Sequence, residues 1–168
     1  MFILSVLEVF MNFYIKQKLF SWGDKFSIYD ENGEEVFFVE GKPISFGKKL
    51  WIYDKGGREL AYIEQKLLSL LPRFRIFRDG RQVAEVVKDF TFFHQRYTVN
   101  GADIEVIGDF FAHNYSLMSG AEYVGSVEKG WFTLGDAFMV SVSHDDPILI
   151  LAIVLIIDAC IDAEENAN

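Results

Sequence analysis

Five glycines, Gly33, Gly57, Gly80, Gly101 and Gly120, recur at spacings of 24, 23, 21 and 19 residues. No other feature constrains the chain as strongly. Each lies in a short turn sequence: Glu-Asn-Gly, Gly-Gly, Asp-Gly, Asn-Gly and Ser-Gly. Glycine takes positive φ without a Cβ clash, as tight hairpin turns require. The flanks repeat as well. LFSWGDKFSIYDENGEEVFFVEGK (Leu19 to Lys42), PISFGKKLWIYDKGGRELAYIEQK (Pro43 to Lys66) and LLSLLPRFRIFRDGRQVAEVVKD (Leu67 to Asp89) are copies of one unit. Each carries an Ile-[Tyr/Phe]-[Asp/Arg] step, a glycine turn and an alternating stretch. In RFRIFR, Phe74 and Ile76 point to one face and Arg73 and Arg75 to the other. FSWGD, ISFGK, LSLLP and GDFFAH read as turns at the opposite end.

The last copy is cut short. WFTLGDAFMVSV (Trp131 to Val142) follows the pattern of LFSWGDKFSIYD, and HDDPILILAIVLIIDACID then replaces the second half of the unit. One strand before the first SWGD, two around each glycine turn and one after TLGD give about twelve. A sheet of that size rarely stays open, and closure removes its edges.

ILILAIVLII, residues 148–157, is the most apolar stretch. Crossing a bilayer as a helix takes about 20 such residues, and this run meets Asp158 after ten. Asp146-Pro147 is a helix start, with Asp as N-cap and Pro in the first turn. Asp145 and Asp146 suit the positive end of the dipole. A helix from Pro147 to Ala163, apolar all round, has to be enclosed by protein. A barrel of about eight strands fills itself with its own side chains; a wider one needs a filler. The expected fold is therefore mainly β (α+β): a closed antiparallel barrel of about twelve strands around a hydrophobic C-terminal helix. Ten buried aliphatic side chains contribute roughly 15–30 kcal/mol before entropy. The expected division is an N-terminal extension over 1–11, one barrel domain over 12–163 and an acidic tail over 164–168. The apolar start, MFILSVLEVFMN, lacks the basic residues of a signal peptide, and Met11 is an alternative start.

Hairpins bearing IKQKLFSWGDKFSIYD, LAYIEQKLLSLLPRFRIFRDG and GDFF, followed by LAIVLIIDACID, resemble the LURP-one-related family from about Asn12 to Asp162. That family is placed in the Tubby C-terminal-like group, with phospholipid scramblases as distant relatives. The resemblance implies a twelve-stranded barrel around the terminal helix and says little about activity.

Chemistry is hard to find in the sequence. His94, His113 and His144 have no metal-ligand spacing and read as turn or strand-end residues. Cys160 lies within the apolar helix and reads as an inert core thiol; as the sole cysteine it makes no intramolecular disulfide, in keeping with a reducing, cytoplasmic setting. Asp158 and Asp162 lie one helical turn apart; Asp158 is expected near the barrel mouth against Lys, Arg or water. There is no phosphate loop, dinucleotide fingerprint or nucleophile elbow, and no motif for a cofactor or metal.

Charge is the remaining handle. The chain carries −9 overall, which disfavours nucleic acid as a partner. Residues 42–81 nevertheless hold ten basic and four acidic groups, a net +6. Lys48, Lys49, Arg58, Lys66, Arg73, Arg75, Arg78 and Arg81 are the candidate residues of a basic outer patch for anionic phospholipid headgroups, which attract basic groups by about 1 kcal/mol each. Tubby domains bind phosphoinositide at a basic outer surface, and the resemblance points the same way. The expected function is a non-enzymatic binding or scaffold domain for acidic lipid or a protein partner. The alternatives are a scramblase-like protein anchored by the terminal helix, and an enzyme with a barrel-end site drawing on His94, His113 or Asp158.

Overall fold

A computed structural model describes residues 10–16, 25–44, 47–90, 95–132 and 135–167. The period-two alternation becomes twelve strands: β1 (Met11–Lys16), β2 (Lys25–Tyr29), β3 (Glu35–Ile44), β4 (Gly47–Asp54), β5 (Glu59–Gln65), β6 (Arg73–Arg78), β7 (Arg81–Phe90), β8 (Gln95–Asn100), β9 (Ile104–Asp109), β10 (Asn114–Ser119), β11 (Glu122–Phe132) and β12 (Gly135–Val142). Each pairs antiparallel with its sequence neighbour, and β1 also pairs with β12 to close the barrel. The five glycine turns join β2 to β3, β4 to β5, β6 to β7, β8 to β9 and β10 to β11, so they crowd one end. The SWGD step, Thr133 and Leu134 of TLGD, Ser45 and Phe46 of ISFGK, His94 and the first nine residues lie outside the described residues.

The Ile-[Tyr/Phe]-[Asp/Arg] step has a structural meaning. The pairing register shifts at Ile28/Tyr29, Ile52/Tyr53 and Ile76/Phe77, a bulge at the same place in all three units. Each Ile points into the core and is fully buried. The bulge then turns the ribbon into its hairpin. In the first two units the Asp closes the turn: Asp30 Oδ1 accepts from the amides of Asn32 and Glu34, both at 2.9 Å, and Asp54 Oδ1 accepts from Gly56 and Arg58, both at 2.9 Å. This is side-chain capping of a turn. The third unit has Arg78 instead and makes a two-residue turn with Asp79 and Gly80 at φ 49° and 74°, the left-handed pair that such hairpins favour.

The helix α1 (Pro147–Glu165) enters at the glycine-turn end. Asp146 is its N-cap, accepting from Leu149 N at 3.2 Å, and Pro147 occupies the first turn. Arg78 is freed from turn-closing and ion-pairs with Asp146, which fixes the helix start to the third hairpin. Every residue from Ile148 to Ile157 is buried, against Ile63, Phe74, Val140 and their neighbours in one continuous core. The helix runs two residues beyond the expected end at Ala163, so Glu164 and Glu165 belong to it rather than to a tail. The extension follows from Lys88, which ion-pairs with Glu164 and places a cation at the negative end of the dipole. At about 28 Å, α1 threads the barrel from one end to the other.

Candidate functional site

With the lumen occupied, surfaces for recognition are the outer wall and the two ends. The wall of β3 to β6 is unusual. Phe38, Trp51, Tyr53, Tyr62 and Phe77 alternate with core residues and therefore face outwards. Their rings are in contact: Phe38 with Tyr53 at 5.2 Å, Trp51 with Tyr62 at 5.1 Å and Tyr62 with Phe77 at 5.7 Å between centroids. Cations lie over them, Lys25 at 6.0 Å from Phe38, Lys42 at 5.3 Å from Trp51 and Arg75 at 5.9 Å from Phe77. Cross-strand aromatic pairs add about 0.2–1 kcal/mol each, and cation–π contact fixes the ammonium positions.

The eight basic candidates do not share one role. Lys49 on β4 and Arg73 and Arg75 on β6 face outwards on either side of β5, and Lys66 follows β5 at the end away from the glycine turns. Lys42 stands opposite Lys49 in the β3–β4 register and joins this group. Arg73 pairs with Glu85 at 2.9 Å and Arg75 with Glu64 at 2.8 Å, so their charge is partly offset. Arg58 and Arg81 are exposed at the glycine-turn end, apart from the others. Arg78 holds the helix cap. Lys48 has the opposite parity to Lys49 and turns inwards, where its Nζ donates to the carbonyl of Ala159 at 2.9 Å.

Lys48 belongs to a second cluster, built around the last turns of α1. His113 Nε2 and Asp158 Oδ1 are 2.9 Å apart, with the imidazole stacked on Phe138 at 5.1 Å. Asp158 was expected against Lys, Arg or water; its partner is a histidine, because the β9–β10 turn folds over the mouth with His113 at φ 49°. Sequence spacing could not find this pair, 45 residues apart. Lys48, Lys88, Cys160 and Tyr97 complete the cluster. Burial holds both lysine ammonium groups below the ordinary lysine range. It pushes the Cys160 thiol up to about 11, despite the opposing pull of Lys88. The Tyr97 hydroxyl faces that thiol, and burial pushes its pKa far up. A cavity of about 150 Å³, mostly apolar and lined in part by Lys48, Phe74, Cys160 and Glu164, opens beside the helix end. His144 caps its turn, its Nδ1 accepting from Asp146 N at 3.0 Å. Among the described residues no group of His, Cys, Asp and Glu is arranged to hold a metal ion, and no helix is long and apolar enough to cross a membrane.

Comparison with known proteins agrees with this architecture. The protein YxjI of Bacillus subtilis, itself uncharacterized, is 37% identical over 164 residues, spanning 97% of this chain and 99% of that one. An X-ray structure of an Arabidopsis thaliana protein superposes with a TM-score of 0.66, at 17% identity, over 92% of this chain and 93% of that one; at that identity the likeness is one of fold. The LURP-one-related profile matches residues 11–158, from the first strand of the barrel to the helix residue that His113 holds, and the chain belongs to the LURP-one-related family.

Proposed function

We propose that this protein is a non-enzymatic binding domain whose outer wall meets anionic phospholipid headgroups. The observation that carries the reading is the aromatic and basic face of β3 to β6, where Lys42 and Lys49 stand side by side beside Trp51 and Tyr62. Ammonium groups with aromatic rings suit a phosphate-rich interface, where amphipathic rings and cations both gain. Three features favour binding over catalysis. Helix α1 fills the lumen in which a substrate would sit. Cys160 stays protonated at neutral pH and is a poor nucleophile. His113 and Asp158 are both largely buried and join helix to barrel, a use that accounts for their contact without a substrate.

The test is co-sedimentation with phosphatidylcholine vesicles, with and without phosphatidylserine, across a salt series. Binding that needs phosphatidylserine and weakens with salt is expected. The charge reversals Lys42→Glu and Lys49→Glu are expected to remove it. Arg73, Arg75 and Arg78 are poorer positions for reversal, since each holds an acidic partner whose loss disturbs the fold. Equal sedimentation with both vesicle types at low salt refutes the headgroup reading.

A further inference from the structure

The two ends of the barrel differ in a way that the headgroup reading does not explain. At the glycine-turn end the tips are Asn32-Gly33, Gly56-Gly57, Asp79-Gly80 and Gly101, polar or without a side chain. At the other end the described turns carry large apolar side chains in solvent. Leu68 and Leu70 are fully exposed, at 107% and 104%, Phe90 is 74% exposed, and Leu67 and Phe111 are about half exposed. The antiparallel topology brings all five to one end: the β5–β6 loop, the last residue of β7 and the β9–β10 turn. Phe10 and Met11, about two-fifths exposed, lie at the glycine-turn end with Phe10 against Tyr123, and Val83 and Ile107 lie on strands, so the glycine-turn end has no apolar side chain as exposed as Leu68, Leu70 or Phe90 among the described residues.

The β5–β6 loop is built to hold its leucines outward. Lys66 N donates to Arg73 O at 2.8 Å across its base, and Lys88 N donates to Pro72 O at 3.1 Å. Inside the loop the Ser69 hydroxyl donates to Leu71 O at 2.6 Å. Leu67 packs back over Gly47, where a Cβ would meet its Cδ2 at 3.0 Å. Leu68 sits at φ 60°, a conformation that suits Gly or Asn and costs a leucine about 1–2 kcal/mol. Neither packing nor backbone preference accounts for a leucine there. Exposed apolar residues gathered at one rim mark an interaction site.

We propose that this rim is a membrane-insertion edge, with Leu68 and Leu70 at its tip entering the headgroup and acyl boundary of a phospholipid bilayer. The occupant is argued from charge and shape. Lys66 adjoins the leucines directly, and Lys42 and Lys49 lie on the wall above them, the order in which a bilayer presents acyl chains and then phosphates. The exposed apolar side chains are carried by separate turns, Leu68 and Leu70 on the β5–β6 loop and Phe111 on the β9–β10 turn, and a fluid bilayer accepts each of them without a matching partner surface. Asp109, Asp162 and Glu165 at the same end oppose purely electrostatic attachment, so apolar insertion has to supply a salt-resistant part of the binding. This inference rests on the lipid reading above and deepens it by naming the edge that inserts.

The full chain is tested with the same phosphatidylcholine and phosphatidylcholine–phosphatidylserine vesicles. Leu68→Cys carries an environment-sensitive fluorophore, with Arg81→Cys as the control at the opposite end; Cys160 is buried and does not compete for label. A blue shift at position 68 and none at position 81 is expected on adding vesicles. Leu68→Ser with Leu70→Ser is expected to weaken partitioning about tenfold or more, chiefly in the part that survives high salt, and to leave stability unchanged because both side chains are exposed. Wild-type binding to acidic vesicles with no shift at position 68 and no effect of the serines overturns insertion while the headgroup reading stands. A shift on neutral vesicles equal to that on acidic ones keeps insertion and removes the headgroup reading. Loss of a wild-type dimer in the serine variant, with no response to either vesicle, overturns insertion in favour of a second copy of the chain.

Discussion

At the scale of single residues, the groups around the end of α1 control how the plug is held. His113 joins α1 to a barrel turn, and both side chains of its pair with Asp158 are less than one-fifth exposed. Replacing His113 with Ala leaves a carboxylate without that partner in a mostly apolar site. The expected cost is about 3 kcal/mol, between that of an unsatisfied buried acceptor and that of a broken buried ion pair. In urea unfolding, the double variant His113→Ala with Asp158→Ala is expected to lose less than the sum of the single losses; full additivity would show that the contact is not coupled. Cys160 gives a pH-dependent prediction. Its thiol is raised from 9.0 to about 11 in the fold, so between those values the folded state binds the proton more tightly than the unfolded chain. The resulting stability is complete below pH 9 and is lost as pH rises to about 11, a change of about 3 kcal/mol. Tyr97 and Tyr115 are also raised and act in the same sense at higher pH. Lys48 and Lys88 are lowered and act in the opposite sense. Comparing wild type with Cys160→Ala separates the thiol: the variant is expected to lose less stability between pH 9 and 11. Equal slopes would refute it.

At the scale of elements, the hairpin unit and its departures decide the geometry. Asp30 and Asp54 close their own turns, whereas Arg78 reaches across to cap the helix start. Asp146→Ala removes both the N-cap acceptor and the partner of Arg78, with an expected loss of about 1–2 kcal/mol in denaturant unfolding. Asp146→Asn keeps the cap and is expected to recover most of that loss. Gly108 is a second fixed point: at φ 146° its Cβ would stand 2.6 Å from Asn114 O and from Tyr115 Cα, so Gly108→Ala is expected to disrupt the β9–β10 pairing and reduce the folded yield. These elements also show what was legible in sequence. The strands could be counted because buried and exposed residues alternate and Gly marks every turn at one end; the helix stood out because ten residues without a polar face have one place to go. The Asp146 cap was equally plain. The His113–Asp158 pair was hidden because it depends on which turn folds over the mouth, a property of closure rather than of spacing. The inward turn of Lys48 is readable from parity, since Leu50 and Ile52 share its face, whereas a count of charges along the chain carries no information on facing. Leu68 and Leu70 lie in LSLLP, whose position between strands marks a turn, and large apolar residues in a turn are the sequence signal of the rim.

At the scale of the whole molecule, barrel and helix are one folding unit. Twelve strands make a wall too wide for their own side chains to fill, and the inward residues are mainly Ile, Val and Leu of moderate size. Without α1, that inner surface faces an unfilled lumen, and the apolar area lost from burial is large compared with the net stability of a domain. Both ends of the helix are also anchored, by Arg78 to Asp146 and by Lys88 to Glu164, so the plug sets the spacing of the wall as well as its contents. A chain ending at Asp145 is therefore expected not to form a cooperative fold. By circular dichroism it should lack a sharp thermal transition, and by amide NMR it should lack the dispersed spectrum of the full chain. Adding a peptide of residues 146–167 in trans is expected to restore dispersion in part, since the peptide carries its own cap and the groups that meet Lys48, Lys88 and His113. A truncated chain that melts as sharply as the full one would show that the strands close without a plug, and the role of the helix as structural core would fall.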